Sequence, residues 1–155
     1  CLTLEQPLHS KPLQRPFGSL LGSWNHLICI DLLWLRRLMP IYPILEELHD
    51  WPALPDNGDS GVDLLPEPYL YKELATLQPA RQQLDDLLVR WCDLLRLDDA
   101  KAMVSYGKEL ENCLGLDRVL QFLFDHHSYC RGQVAAVLHQ LGSPTCADTY
   151  LLFDA

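Results

Sequence analysis

The sequence lacks two patterns that identify large classes of protein. No cluster of Lys and Arg is longer than the pair Arg36-Arg37, and the net charge of the 155-residue chain is −9. Because binding to phosphate backbones requires a basic surface, this balance argues against a nucleic-acid partner. No apolar run approaches the roughly 20 residues needed to span a bilayer, since Asp31 interrupts the richest one. We therefore expect neither nucleic-acid nor membrane binding.

The sequence also lacks a C-x-x-C pair and an initial Met. Its six cysteines are scattered from Cys1 to Cys146, which in a chain able to bury a full core indicates reduced thiols in a cytoplasm, although an even number leaves disulfides open. No charged and then apolar leader follows Cys1, so no secretory signal is expected. We infer that the chain begins inside a longer polypeptide, of which residues 1–155 form one domain.

Apolar spacing predicts three long helices and an all-α fold. The first runs from Leu20 to Met39 with Ser19 as its cap, and its apolar residues cover most of its circumference. The second begins with Pro79 in its first turn and runs to about Leu97, with a buried stripe that includes Leu94 and Leu95. The third runs from Leu116 to Leu141 and stops at Gly142.

The segments between these helices are rich in proline or lack a helical stripe. Residues 40–68 contain six prolines and form a long connection, in which residues 44–49 are expected to make a short helical turn. Residues 69–77 are a second candidate turn. Residues 101–113 contain Val104-Ser105-Tyr106-Gly107 and are expected to form a short turn or hairpin.

Two side chains that bind metals stand one helical turn apart in the third helix. His126 and Cys130 are separated by four residues and therefore share one face, which also carries the apolar stripe. A third ligand must come from elsewhere, and His26 on the first helix is a candidate. Gln133 lies beside His126 on the helix and is a candidate partner that orients a ligand. The spacing alone equally allows a satisfied core histidine and a packed thiol.

Beyond this pair, the chain resembles the DinB-like (damage-inducible, DinB/YfiT-type) family of small bacterial metal proteins. His126-x-x-x-Cys130-Arg131-Gly132-Gln133-Val134 is similar to the family's last-helix signature, and Asn25-His26-Leu27, followed by Asp31 and Trp34, is similar to its second helix. Asp148 matches its closing Thr-Asp pattern. The resemblance spans roughly residues 17–153.

The resemblance implies a four-helix bundle of the up-down-down-up type with a three-histidine divalent-metal site and one open position. Its ligands are transferred to His26, His126 and the position that Cys130 holds here. The cysteine departs from the pattern, yet thiolate suits Zn²⁺, whereas a nickel site built of three imidazoles is less well reproduced. The start of the chain also departs from the family pattern, because the proline-rich sequence before Phe17 is too short to supply the family's first helix.

Three functions follow as expectations. The first is a metal-dependent enzyme, such as a transferase of a low-molecular-weight thiol, in which His26, His126 and Cys130 hold the ion and Gln133 or Asp31 orients them. The second is a metal-dependent hydrolase with Asp31 or His127 as its acid-base group, although Asp31 also fits a purely structural hydrogen-bonding role. The third is a metal-free, stress-related binding module. A homodimer is expected in each case.

Overall fold

The computed structural model describes residues 19–54, 69–107, 112–140 and 142. These residues form three long α-helices, α1 (Leu20–Leu38), α2 (Leu74–Cys92) and α3 (Leu116–Gln140). Two 3₁₀ helices, Pro43–Asp50 and Leu97–Lys101, follow α1 and α2, and a hairpin of β1 (Met103–Tyr106) and β2 (Asn112–Gly115) precedes α3. The all-α prediction is confirmed. The missing family helix and Asp148 fall outside the described residues.

Helix α1 lies at the centre of the structure. Its start is stabilised by Ser19, whose side-chain oxygen accepts a hydrogen bond from the Gly22 N–H at 2.9 Å, as the sequence predicts. Most of its residues are buried on all sides, and both α2 and α3 pack on it. Trp34 contacts Tyr106 of the hairpin and Phe122 of α3, with ring centroids 6.1 and 5.6 Å apart. A helix apolar on all sides is thereby covered.

The predicted bounds of α2 are wrong at both ends. The helix begins at Leu74, so Pro79 lies inside it, because Leu77 is buried in the core and the Glu73 carbonyl accepts the first N–H groups, those of Thr76 and Leu77. It ends at Cys92. The Leu94 and Leu95 N–H groups then bond carbonyls three residues back, so the α-helical pattern does not continue. Leu94 is consequently 53% exposed rather than part of a buried stripe.

The prediction of a separate helical turn at residues 69–77 is wrong, because the residues from Leu74 onward belong to α2. The other predicted elements are confirmed. The turn predicted at residues 44–49 is part of the 3₁₀ helix Pro43–Asp50, which buries Leu45 and Leu48. The hairpin pairs Val104 with Leu114 in antiparallel register, and Val104 belongs to the core. Helix α3 follows β2 directly, and the Leu116 N–H donates to the Ala102 carbonyl at 2.8 Å. Gly142, with φ of +73°, follows the end of α3, where glycine is favoured.

Candidate metal centre

His26 occupies the middle of α1 and is 2% exposed. The preceding residue, Asn25, is equally buried and fixes this part of the helix. Its side-chain amide donates to the Leu21 and Tyr71 carbonyls, and its oxygen accepts from the Tyr71 N–H, each at 2.9 Å. The backbone around Tyr71 is thereby tied to α1 beside the candidate ligand.

Helix α3 brings the other two candidate ligands to His26. The Nε2 atoms of His26 and His126 are 2.9 Å apart, and Cys130 Sγ lies 3.5 Å from His126 Nε2. All three ligand atoms lie within 4.8 Å of one another. Cys130 is 1% exposed, and the Phe122 ring stacks on the His126 ring at 5.4 Å with an 18° interplanar angle. The three predicted ligands therefore converge, although His26 lies 100 residues before His126 in the sequence.

The distances from His126 Nε2 to the other two ligand atoms can be compared with those of a tetrahedral zinc site. With ordinary Zn–N and Zn–S bond lengths, two nitrogen ligands lie about 3.3 Å apart and a nitrogen and a sulfur about 3.6 Å apart. The 3.5 Å between Cys130 and His126 agrees with this geometry. The 2.9 Å between the imidazoles is that of a hydrogen bond, so one Nε2 carries a proton. That proton must move to Nδ1 before both nitrogens can bind one ion.

Burial determines the protonation of the site. Burial raises the pKa of the Cys130 thiol to about 11, so the thiol is protonated at neutral pH. Burial, with the neighbouring His26 and His127 imidazoles, lowers the pKa of His126, so its neutral form is favoured. A neutral imidazole is ready to bind a metal, whereas the thiol must first lose its proton.

The Asp31 carboxylate is paired with residues outside the ligand set. Its carboxylate is 3% exposed and accepts hydrogen bonds from Arg81 Nη1 at 2.5 Å and from His127 Nε2 at 2.7 Å. Arg81 also bonds Asp85 one turn further along α2. Asp31 therefore joins α1, α2 and α3 in one ionic network, which agrees with the structural role considered for it.

The sequence did not predict this network. The His127 side chain is 24% exposed, and its pairing with Asp31 depends on how α1 and α3 pack. The only local signal was the i,i+4 spacing of Arg81 and Asp85. No pattern within one helix could have connected it to Asp31, which lies 50 residues earlier in the chain.

Gln133 is half-buried one turn after Cys130 along α3. Its side-chain oxygen is buried and has no hydrogen-bond partner in the described part of the chain. A buried acceptor without a donor is costly. A role in orienting a ligand stays a prediction for this residue.

The family model described as "DinB family" matches residues 2–155. No curated protein and no solved structure matches the chain. No helix in the described ranges is both long and apolar enough to cross a membrane. The match extends over almost the whole sequence, and the chain belongs to the DinB family.

Proposed function

We propose that His26, His126 and Cys130 hold one divalent metal ion, with Zn²⁺ preferred, and that the protein is a metal-dependent transferase of a low-molecular-weight thiol. The observation that carries this proposal is the convergence of three ligand atoms within 4.8 Å. Two imidazoles and a thiolate are good zinc ligands, and a three-ligand set leaves a fourth position open. When bound there, zinc lowers the pKa of an incoming thiol or water.

The chain's own residues hold and shield this site. Phe122 covers one face of the His126 ring, and the buried positions of His26 and Cys130 keep their ligand atoms away from bulk water. Low exposure strengthens every charge interaction at the site. Cys130 supplies a negative charge once its proton has left, which partly balances the divalent ion. Arg81 forms an ion pair with Asp31 and His127 hydrogen-bonds to it, so both oxygens of that carboxylate already have partners.

The test is metal analysis of the full chain purified without chelator. We expect about one zinc per chain after reconstitution, in keeping with a single three-ligand site. Substoichiometric metal that does not rise with added Zn²⁺ or Ni²⁺ would contradict the metal site. The variant Cys130→Ala should lose most of the zinc. Cys113→Ala, which removes an exposed thiol elsewhere, is the matched control and should bind as the unchanged protein does.

A further variant separates this proposal from the metal-free binding module. Cys130→His restores the residue expected from the family pattern. If zinc binds only to that variant, the natural protein is a degenerate member without the metal. If both proteins bind zinc, thiol transfer is assayed by the loss of free thiol in the presence of an alkyl halide, with Cys130→Ala as the inactive reference. The thiol partner and the homodimer stay predictions.

A hydrolase is the second candidate, and the His127–Asp31 pair favours it. A carboxylate that bonds one nitrogen of a histidine orients the ring for acid-base work. A cavity of about 260 Å³ opens between α2 and α3 and is lined by Asp31, Arg81 and His127, together with apolar residues such as Trp91 and Phe124. His127→Gln distinguishes the two activities. Loss of hydrolysis with zinc content unchanged would support the hydrolase, whereas unchanged hydrolysis would reject His127 as its acid-base group.

A further inference from the structure

Another cavity, of about 390 Å³, lies at the carboxyl end of α1, away from the three ligands. Its walls come from α1, from the connection that follows it and from β1. Five of its described lining residues are apolar: Leu33, Pro40, Ile41, Leu54 and Met103. Met103 is 59% exposed, which leaves an apolar edge at the mouth. The volume lies at the small end of the range for sites that bind small molecules.

Arg36 brings a positive charge into this cavity, and no carboxylate in the described part of the chain pairs with it. Its Nη2 donates to the Trp51 and Pro52 carbonyls at 3.1 and 2.8 Å. These neutral acceptors hold the guanidinium in place but do not balance its charge. Within the described ranges, Nε and Nη1 of Arg36 make no hydrogen bond. Burial lowers the pKa of this guanidinium, which is the sign of a partly desolvated cation.

The surroundings add to this positive character. Arg37 also lines the cavity, with its guanidinium stacked over Trp34 at 4.7 Å from the ring centroid. The Ser105 hydroxyl is a further donor on the wall. None of the described residues that line the cavity is Asp or Glu, although the whole chain has a net charge of −9. An anion would therefore be attracted here and repelled from most other surfaces.

We propose that this cavity binds a small carboxylate that carries an apolar group, with the carboxylate on Arg36 and the apolar group against Leu33, Ile41 and Met103. The two carbonyls engage Nη2 of Arg36, so its Nε–H and Nη1–H groups remain to donate single, charge-assisted hydrogen bonds to a carboxylate oxygen. A carboxylate suits the site better than a phosphate dianion. Arg37 already stacks on Trp34 and Tyr106, so Arg36 supplies most of the charge.

Benzoate is the probe, and benzamide is its neutral counterpart of the same shape. Each is titrated into the full chain and followed by amide chemical shifts. For a ligand of about nine heavy atoms, an affinity of about 0.3 kcal/mol per atom corresponds to a Kd of about 10 mM or tighter. We expect saturable benzoate binding in that range and at least tenfold weaker binding of benzamide. The shifts should be confined to residues near Arg36, Ile41 and Ser105.

Variants test whether charge at this cavity is responsible. Arg36→Gln should weaken benzoate binding at least tenfold and leave benzamide binding unchanged. Met103→Glu puts a negative charge at the exposed mouth without disturbing Arg36, so it should weaken benzoate several-fold even if Arg36→Gln fails to fold. Arg118→Gln, which removes an exposed guanidinium at the start of α3, is the control and should have no effect.

Several results would overturn the proposal. Equal affinities for benzoate and benzamide would remove the role of charge, and shifts centred on His126 would place the anion at the metal centre instead. Phenyl phosphate binding more tightly than benzoate would show that the site is a phosphate site. Benzoate binding much weaker than about 10 mM, or binding that Met103→Glu leaves unchanged, would also reject the carboxylate site.

Discussion

The replacement Asp31→Ala tests whether one buried carboxylate joins the three long helices. Asp31 lies on α1, Arg81 on α2 and His127 on α3, and the carboxylate accepts hydrogen bonds from both of its partners. The change removes the acceptor and leaves two donors facing the space that it occupied. Because alanine is smaller than aspartate, the replacement leaves a local gap but introduces no steric clash.

The size of the effect follows from burial. Breaking a buried ion pair by removing one partner costs about 3–5 kcal/mol when the remaining charge has no other partner. Here Arg81 keeps Asp85, and its side chain and that of His127 are each 24% exposed. We therefore expect a loss of about 2–3 kcal/mol in the free energy of unfolding. For a chain of this length, the melting temperature should fall by about 4–12 °C.

The measurement is urea unfolding followed by circular dichroism, together with a thermal melt. Asp31→Asn is a matched variant, because its amide can accept from Arg81 and donate to a His127 nitrogen. The free energy of unfolding should fall less in Asp31→Asn than in Asp31→Ala, and the difference from the unchanged protein should report mainly the missing charge. Glu47→Gln, which disrupts the exposed pair with Arg90, should leave the midpoint nearly unchanged. If Asp31→Ala unfolds within about 0.5 kcal/mol of the unchanged protein, the network does not hold the helices together.

Three further predictions concern the site and its surroundings. The apparent zinc affinity should rise about tenfold per pH unit between pH 7 and 9. The reason is that the Cys130 thiol, with a pKa of about 11, must lose one proton, whereas the lowered pKa of His126 leaves that ring neutral. Competition with a coloured chelator measures the affinity, and a flat pH profile would contradict thiolate ligation. Gly132→Ala should stabilise the protein by about 0.5–1 kcal/mol in thermal melts, since an added methyl meets nothing within 4 Å; a lower melting temperature would show that the glycine is needed. Asn25→Ala should cost roughly 2–3 kcal/mol, because Tyr71 N–H and C=O lose their partner, and hydrogen exchange of the Tyr71 amide should become faster; an unchanged rate would argue against the tie.

Local chemistry explains which helices were predicted correctly. Ser19 before α1 and Gly142 after α3 are capping residues whose effect does not depend on the rest of the chain. Helix α2 lacks such signals. Its N-cap, Glu73, makes no side-chain capping bond, and Pro79 is mid-helix rather than at the start where proline is preferred. Burial of Leu77 outweighs the proline's missing hydrogen bond, and only packing shows that.

One part of the candidate site was likewise predictable from local sequence, and the other part depends on packing. The four-residue spacing of His126 and Cys130 placed both side chains on one face of α3 before any packing was known. No spacing within one helix relates residues 100 positions apart, so His26 was only a candidate third ligand until the family resemblance supported it. The 2.9 Å contact between the two imidazoles arises from the packing of α3 on α1.

The sequence by itself determined what depends on neighbours along the chain, namely an all-α fold, two of the three long helices and a pair of metal-binding side chains on one helical face. The tertiary structure decided what depends on helices meeting. It brought His26 to that pair, gave Asp31 its partners Arg81 and His127, and placed Arg36 in a cavity without a carboxylate among the described lining residues. Helical periodicity acts over a few residues, whereas burial, charge pairing and ligand convergence depend on distances in space.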